Sequence, residues 1–259
     1  MTVMLLRLAG PLQSWGSTAR FARRSTENAP TKSGVLGLLA AAEGRPRDAD
    51  LSDLAALRFG VRIDQPGSRL RDFHTAHHAD SDKAMPLSER FYLADAVFIA
   101  GVEGDRALLQ RLYQALRAPR FLPYLGRRSC PPSLPIDMGP PFEDALEDAL
   151  RTAKWQASRW YRRQLERAAD MRTSTGPVDL DVLIDCPPGE APHLSLRDAP
   201  VSFDPRHRQY TLRGVLTDHS APPPPARRGV PAPHDPTSVL RPLDSPNSTT
   251  TAENSPRTS

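Results

Sequence analysis

Short apolar runs closed by glycine or proline alternate with helically spaced apolar stretches along residues 1–140. Residues 3–8 are apolar except for Arg7 and stop at Ala9-Gly10-Pro11, the pattern of a buried first strand. Over 31–42 a helix is predicted: Thr31 or Ser33 can cap it, and Val35, Leu36, Leu38, Leu39 and Ala42 share one face. A short helix over 51–57 leads into 59–64, where Phe59, Val61 and Ile63 alternate as in a strand. The pattern then fails from 65 to 90, where a polar run over 79–88 follows Asp72-Phe73-His74-Thr75-Ala76-His77-His78. This reads as a long loop or an extended hairpin, and long excursions in compact domains are often functional. Strand character returns over 91–102, and Leu108, Leu109, Leu112, Tyr113 and Leu116 make 105–116 an amphipathic helix.

The order β-α-β, insertion, β-α, with a possible strand over 134–138, predicts an α+β fold of the ferredoxin-like (RRM-like) type. A smaller C-terminal region follows over 141–220, with a charged helical stretch over 143–170, a strand over 178–185 and a hairpin over 201–216 around Asp204-Pro205-Arg206. From 221 to 259 the chain holds ten of its 28 prolines and no aromatic residue. Such a tail cannot bury enough apolar surface to offset the entropy of ordering it, so disorder is expected. No internal repeat is visible.

The formal charge is +4 and the pI about 9.4, which permits a nucleic-acid partner without requiring one. Only Lys32, Lys83 and Lys154 among the 34 basic residues are lysine, a bias that suits phosphate recognition but that a GC-rich genome also produces. Cys130 and Cys186 form no CxxC pair or disulfide framework, as expected of a reducing cytosol. With no signal-peptide pattern and no run of about 18 apolar residues, the expectation is a cytoplasmic protein without membrane contact.

Candidate chemistry begins at residues 124–132, Tyr-Leu-Gly-Arg-Arg-Ser-Cys-Pro-Pro. Gly126 can take positive φ, Arg127 and Arg128 offer forked donors that match phosphate oxygens, and the prolines keep the segment a loop. A surface turn with solvated arginines is the plain alternative. Trp15, in the loop after the first strand, offers a face for base stacking and Gln13 a donor and acceptor, unless Trp15 caps the core instead. Pro30-Thr31-Lys32-Ser33-Gly34 opens a helix with free N–H groups and a lysine, a ready anion site or an ordinary cap, and it is no P-loop. His74, His77 and His78 match no standard zinc spacing. Between 154 and 167 aromatic residues interleave with Lys154 and four arginines, and we expect Trp155 and Trp160 to pack inward while the arginines face water or a partner. No Ser-His-Asp order, HExxH or paired-carboxylate motif is present, so hydrolytic and metal chemistry gain no support.

Four blocks, RLAGPLQSWG (7–16), PTKSGVLG (30–37), LRDFHT (70–75) and YLGRRSCP (124–131), resemble in order and spacing the fifth family of CRISPR-associated proteins, within the repeat-associated mysterious protein superfamily. The match is to the form found in type I-E Cascade. VSFDPRHRQYTLRG (201–214) is similar, with weaker specificity, to that family's C-terminal hairpin. The resemblance implies a ferredoxin-like palm over 1–140 with an inserted β-hairpin thumb at 73–90. It implies a non-catalytic subunit that binds the 5′ handle of crRNA without a cofactor, in contact with the backbone subunit CasC and the large PAM-recognising subunit CasA. Target DNA would be met only through that complex. Carried to matching positions, RNA contact falls to Gln13, Trp15, Lys32, Ser33, Arg71, His74, Tyr124, Gly126, Arg127, Arg128 and Ser129. Some relatives cut precursor RNA with a tyrosine, lysine and histidine, so a metal-independent endoribonuclease using Tyr124, Lys32 and His74 is the alternative.

Overall fold

The computed structural model of the chain describes residues 1–16, 23–170, 179–204 and 206–221. The expected disordered tail, beyond its first residue, lies outside the described residues. Strand β1 (Thr2–Ala9) is buried at every position but Arg7. Its side chains alternate between two cores: Met4, Leu6 and Leu8 enter one, Val3 and Leu5 the other. Burial on both faces is why the segment reads as a continuous apolar run. After the short strands β2 (Leu12–Gln13) and β3 (Arg23–Arg24) comes helix α1 (Lys32–Glu43), capped by the Thr31 hydroxyl, which accepts the Gly34 N–H at 3.3 Å. Helix α2 (Ser52–Ala55) precedes β4 (Arg58–Gln65).

The uncertain excursion is a hairpin. Strand β5 (Ser68–His74) pairs antiparallel with β6 (Ser88–Ala94) from Ser68↔Ala94 to His74↔Ser88. It escaped the hydrophobic pattern because β5 has no buried residue. The single strand expected over 91–102 is two. β6 ends at Ala94, the chain turns at Asp95 with φ 55°, and β7 (Val97–Gly104) enters the other sheet. Aspartate tolerates this left-handed turn, which interrupts an otherwise continuous apolar run. Helix α3 (Arg106–Arg117) is capped by Asp105, whose carboxylate accepts the Leu108 N–H at 2.8 Å. The strand expected over 134–138 is reduced to one bridge, Leu6↔Asp137, because Pro135 cannot donate to a ladder.

The chain continues through β8 (Phe142–Glu143), α4 (Leu146–Thr152), α5 (Arg159–Asp170), β9 (Leu180–Asp185), β10 (Leu194–Ser202) and β11 (Gln209–Ser220). The fold is mixed α+β and dominated by antiparallel pairing. Seven strands form one sheet in the order β10-β11-β9-β4-β7-β1-β8, and β6 joins β2, β3 and β5 in a second. β9 pairs with β4, so the large sheet runs without a break into the C-terminal strands. Side chains of α1 and α3 pack in the core that holds Met4, Leu6 and Leu8, while Leu146, Ala149 and Leu150 of α4 join Val3 and Leu5 in the other.

A fully buried ion pair locks α4 to the sheet. Arg62 donates to both oxygens of Asp64 at 2.7 and 3.2 Å, and its remaining donors reach the carbonyls of Leu150, Arg151, Ala153 and Lys154. A guanidinium thus satisfies the orphan carbonyls at the helix C-terminus. Burial pushes the Asp64 carboxyl up, with Arg62 acting against that rise.

Candidate nucleic-acid interface

The loop after α3 folds tightly on itself. The Leu125 N–H donates to the Cys130 carbonyl at 2.7 Å, and the Cys130 N–H to the Arg127 carbonyl at 2.9 Å. Gly126 sits in the left-handed region with φ 84°, and its Cβ-less face abuts the Ser14 carbonyl. The Ser14 N–H donates to Leu125 O at 3.1 Å, so this loop and the one after β1 form a single unit. Cys130 is buried beneath it, and burial pushes its thiol above the usual range.

The unit walls a cleft of about 1620 Å³. Ser33, Gly34 and Gly37 of α1 line it, as do Phe203 and Tyr210 of the β10–β11 hairpin. Arg24, Arg45, Arg47, Arg127, Arg128, Arg197 and Arg208 line the cleft, and among the described residues no carboxylate does. Arg45 is neutralised locally by Asp53 and Glu43, each at 2.6 Å. Arg47, Arg128 and Arg197 are exposed and make no ion pair or hydrogen bond among the described residues. A concave surface of this sign and size concentrates a polyanion.

Residues 3–216 match the family described as CRISPR-associated protein (Cas_Cas5). The chain belongs to that family. It is 39% identical over 157 residues to the CRISPR system Cascade subunit CasD of Escherichia coli (strain K12), across 52% of this chain and 70% of that protein. A crystal structure of a Cas protein superposes with a TM-score of 0.62 at 38% identity, covering 85% of this chain and 95% of the other. A chain of a CRISPR RNA-guided surveillance complex superposes with a TM-score of 0.68 at 31% identity, covering 86% and 91%.

In this Cas5-family chain the predicted contact residues separate. Ser33, Tyr124, Gly126, Arg127 and Arg128 meet in the cleft. Arg127 is already engaged: it donates to Phe91 O at 3.2 Å and Arg24 O at 2.9 Å and stacks 4.8 Å from the Tyr92 ring. Ser129 is exposed on the same loop but outside the cleft lining. Arg71 and His74 lie on β5, where Arg71 pairs with Glu89 and His74 with Asp72.

Four expectations are corrected. Trp15 is fully buried, its ring so close to Gly34 that a Cβ there would lie 2.8 Å from it, so no face is left for a base. Gln13 is equally buried and gives its amide to the Leu8 and Ala96 carbonyls, while its oxygen accepts the Trp15 indole N–H at 3.1 Å. The anion site at the start of α1 is filled from within: the Lys32 N–H donates to Asp198 and its ammonium to Asp185, both at 2.8 Å. Trp160, expected to pack inward, is 54% exposed and shares the outer side of α5 with the exposed Arg159 and Arg163. Trp155 does turn inward and donates to Asp64 O at 3.0 Å.

Sequence reasoning missed Arg47, Arg197, Arg208, Phe203 and Tyr210. Two signals were available: the Arg45-Pro46-Arg47 step after α1, and Arg206-His207-Arg208-Gln209-Tyr210 at the hairpin.

Proposed function

We propose that the protein is a non-catalytic RNA-binding subunit of a type I-E CRISPR Cascade complex that holds the 5′ handle of crRNA in the arginine-lined cleft. The cleft lined by arginines, with no carboxylate among the described residues, is the observation that carries this reading, and the likeness to Cascade subunit CasD supplies its context. The strand order β4-β7-β1-β8, with α1 and α3 as the crossovers, supports a ferredoxin-like palm over residues 1–140. The β5–β6 hairpin is the thumb of that palm, and residues 141–220 extend the same sheet. Within the complex the protein meets CasC and CasA in the cytoplasm and target DNA only indirectly. No helix among the described residues is long and apolar enough to cross a membrane.

Binding works by charge and shape. Guanidinium groups fixed around the cleft replace counterions along the RNA backbone, and their release into bulk solvent drives association at low salt. Forked donors suit phosphate oxygens in two-pronged geometry. Cleavage by a tyrosine, lysine and histidine gains no support, since the Lys32 ammonium is sealed against Asp185 and His74 lies outside the cleft lining.

Fluorescence anisotropy with a labelled single-stranded 5′-handle RNA tests the proposal. Affinity that falls steeply with salt, and is weakened in Arg128→Ala, supports it. No binding by the folded full-length chain overturns it. Incubation with repeat RNA in EDTA should leave the RNA uncut.

A further inference from the structure

We propose that the β10–β11 hairpin is the second jaw of the RNA cleft, contacting single-stranded RNA through Arg197 and Tyr210, with Arg47 between the jaws. The inference rests on the RNA-binding reading above but concerns residues to which the family blocks assign no RNA contact, two of them, Arg197 and Tyr210, in the C-terminal region rather than the palm.

The charge pattern is the first argument. Arg47 follows α1, Arg128 belongs to the Gly126 loop and Arg197 to β10, yet all three line one cleft without a partner among the described residues. Like charges that share a concavity with no carboxylate among the described residues repel, and a phosphate backbone passing between them relieves that repulsion. A ligand gripped only by the Gly126 loop leaves Arg197 unexplained.

The second argument is aromatic. Tyr210 and Phe203 line the hairpin side with ring centroids 6.4 Å apart and planes tilted by 54°. The Tyr210 hydroxyl has no hydrogen-bond partner among the described residues. Interleaved guanidinium and aromatic groups in a groove are the means by which proteins hold unpaired strands, with backbone on the charges and bases on the rings.

The third argument is rigidity. Lys32 of α1, Asp185 of β9, Asp198 of β10 and Arg213 of β11 form a buried quartet with Lys32–Asp185 at 2.8 Å, Arg213–Asp185 at 2.6 Å and Arg213–Asp198 at 2.8 Å. The Phe203 ring lies where a Gly37 Cβ would be 3.6 Å away. The hairpin is therefore fixed on α1, and a preorganised wall loses little entropy on binding.

The test uses the full-length chain and a labelled single-stranded 5′-handle RNA. Arg47→Ala/Arg197→Ala, both at exposed positions, should keep the wild-type melting temperature. It should bind about tenfold more weakly, with a salt slope shallower by roughly 1.4, about 0.7 per lost phosphate contact on a single strand. Tyr210→Leu should weaken binding about fivefold or more. Ultraviolet cross-linking should place RNA on a peptide within residues 197–211. If wild type binds and Arg128→Ala is weakened, while the Arg47/Arg197 variant keeps affinity and slope and no cross-link falls in 197–211, the second jaw is overturned and the RNA-binding reading survives. If wild type does not bind, that reading fails and the second jaw with it.

Discussion

The Cβ-less face of Gly126 lies against the carbonyl oxygen of Ser14, closer than any side chain could approach. Both loops of the candidate interface meet at this contact. Gly126→Ala therefore combines a left-handed backbone that costs an L-residue roughly 1–2 kcal/mol with a steric clash costing about 1–3 kcal/mol. The loop must shift away from Ser14, carrying Arg127 and Arg128 with it. We expect a lower midpoint in urea unfolding and RNA affinity reduced beyond what the stability loss explains.

Adjacent arginines do different work. Arg127→Ala removes charged hydrogen bonds to the Phe91 and Arg24 carbonyls and the stack on Tyr92, so thermal melting should show a loss of about 1–3 kcal/mol. Arg128→Ala should leave the melting temperature unchanged while lowering RNA affinity and the salt slope, the latter by about 0.7. Reversal of the two phenotypes would show that the loop is held differently from the geometry described.

Much of the fold was legible because α1, α3 and β9 bury apolar residues at the period of their secondary structure and β1, buried on both faces, reads as one short apolar run. The hydrophobic pattern left the β5–β6 excursion open between a loop and a hairpin, because β5 buries no residue and β6 buries only Tyr92 and Leu93. The site was legible where backbone geometry demands a residue type, as at Gly126. It misled where a polar or aromatic side chain could serve the interior equally well. Trp15, Gln13 and Lys32 have the chemistry of ligand contacts, but their partners Gly34, Ala96, Asp185 and Asp198 lie up to 166 residues away, beyond any local pattern. Arg197 and Tyr210 were missed for the same reason: only the hairpin's docking on α1 brings them to the cleft.

The Lys32–Asp185–Arg213–Asp198 quartet is open to direct measurement. Burial works against the Arg213 charge, but hydrogen bonds and charge from Asp198 and Asp185 outweigh it and hold the guanidinium above its ordinary value. Asp198→Ala leaves Arg213 with one carboxylate and the Lys32 N–H with none. A stability loss of about 3–5 kcal/mol in urea unfolding is expected, the range for breaking a buried pair from one side. Replacing Asp198 and Arg213 together by leucines should cost much less, since no orphaned charge remains. Equal losses in the single and double variants would argue against a coupled network.

The Arg45–Asp53 pair gives a pH dependence whose sign is fixed. Two hydrogen bonds from Arg45, at 2.6 Å each, hold the Asp53 carboxyl below its ordinary value of 3.8, against a smaller opposing effect of burial. A carboxylate with a lowered folded-state pKa stabilises the protein above its unfolded pKa, and that contribution is lost as pH falls through the folded value. Asp53 is 40% exposed at its side chain, so solvent screening limits the contribution to under about 1 kcal/mol at neutral pH. Asp53→Asn should therefore melt slightly below wild type at pH 7, and the two curves should converge as pH drops below about 4. A gap that persists or widens in acid would mean that Asp53 acts through its packing rather than its charge.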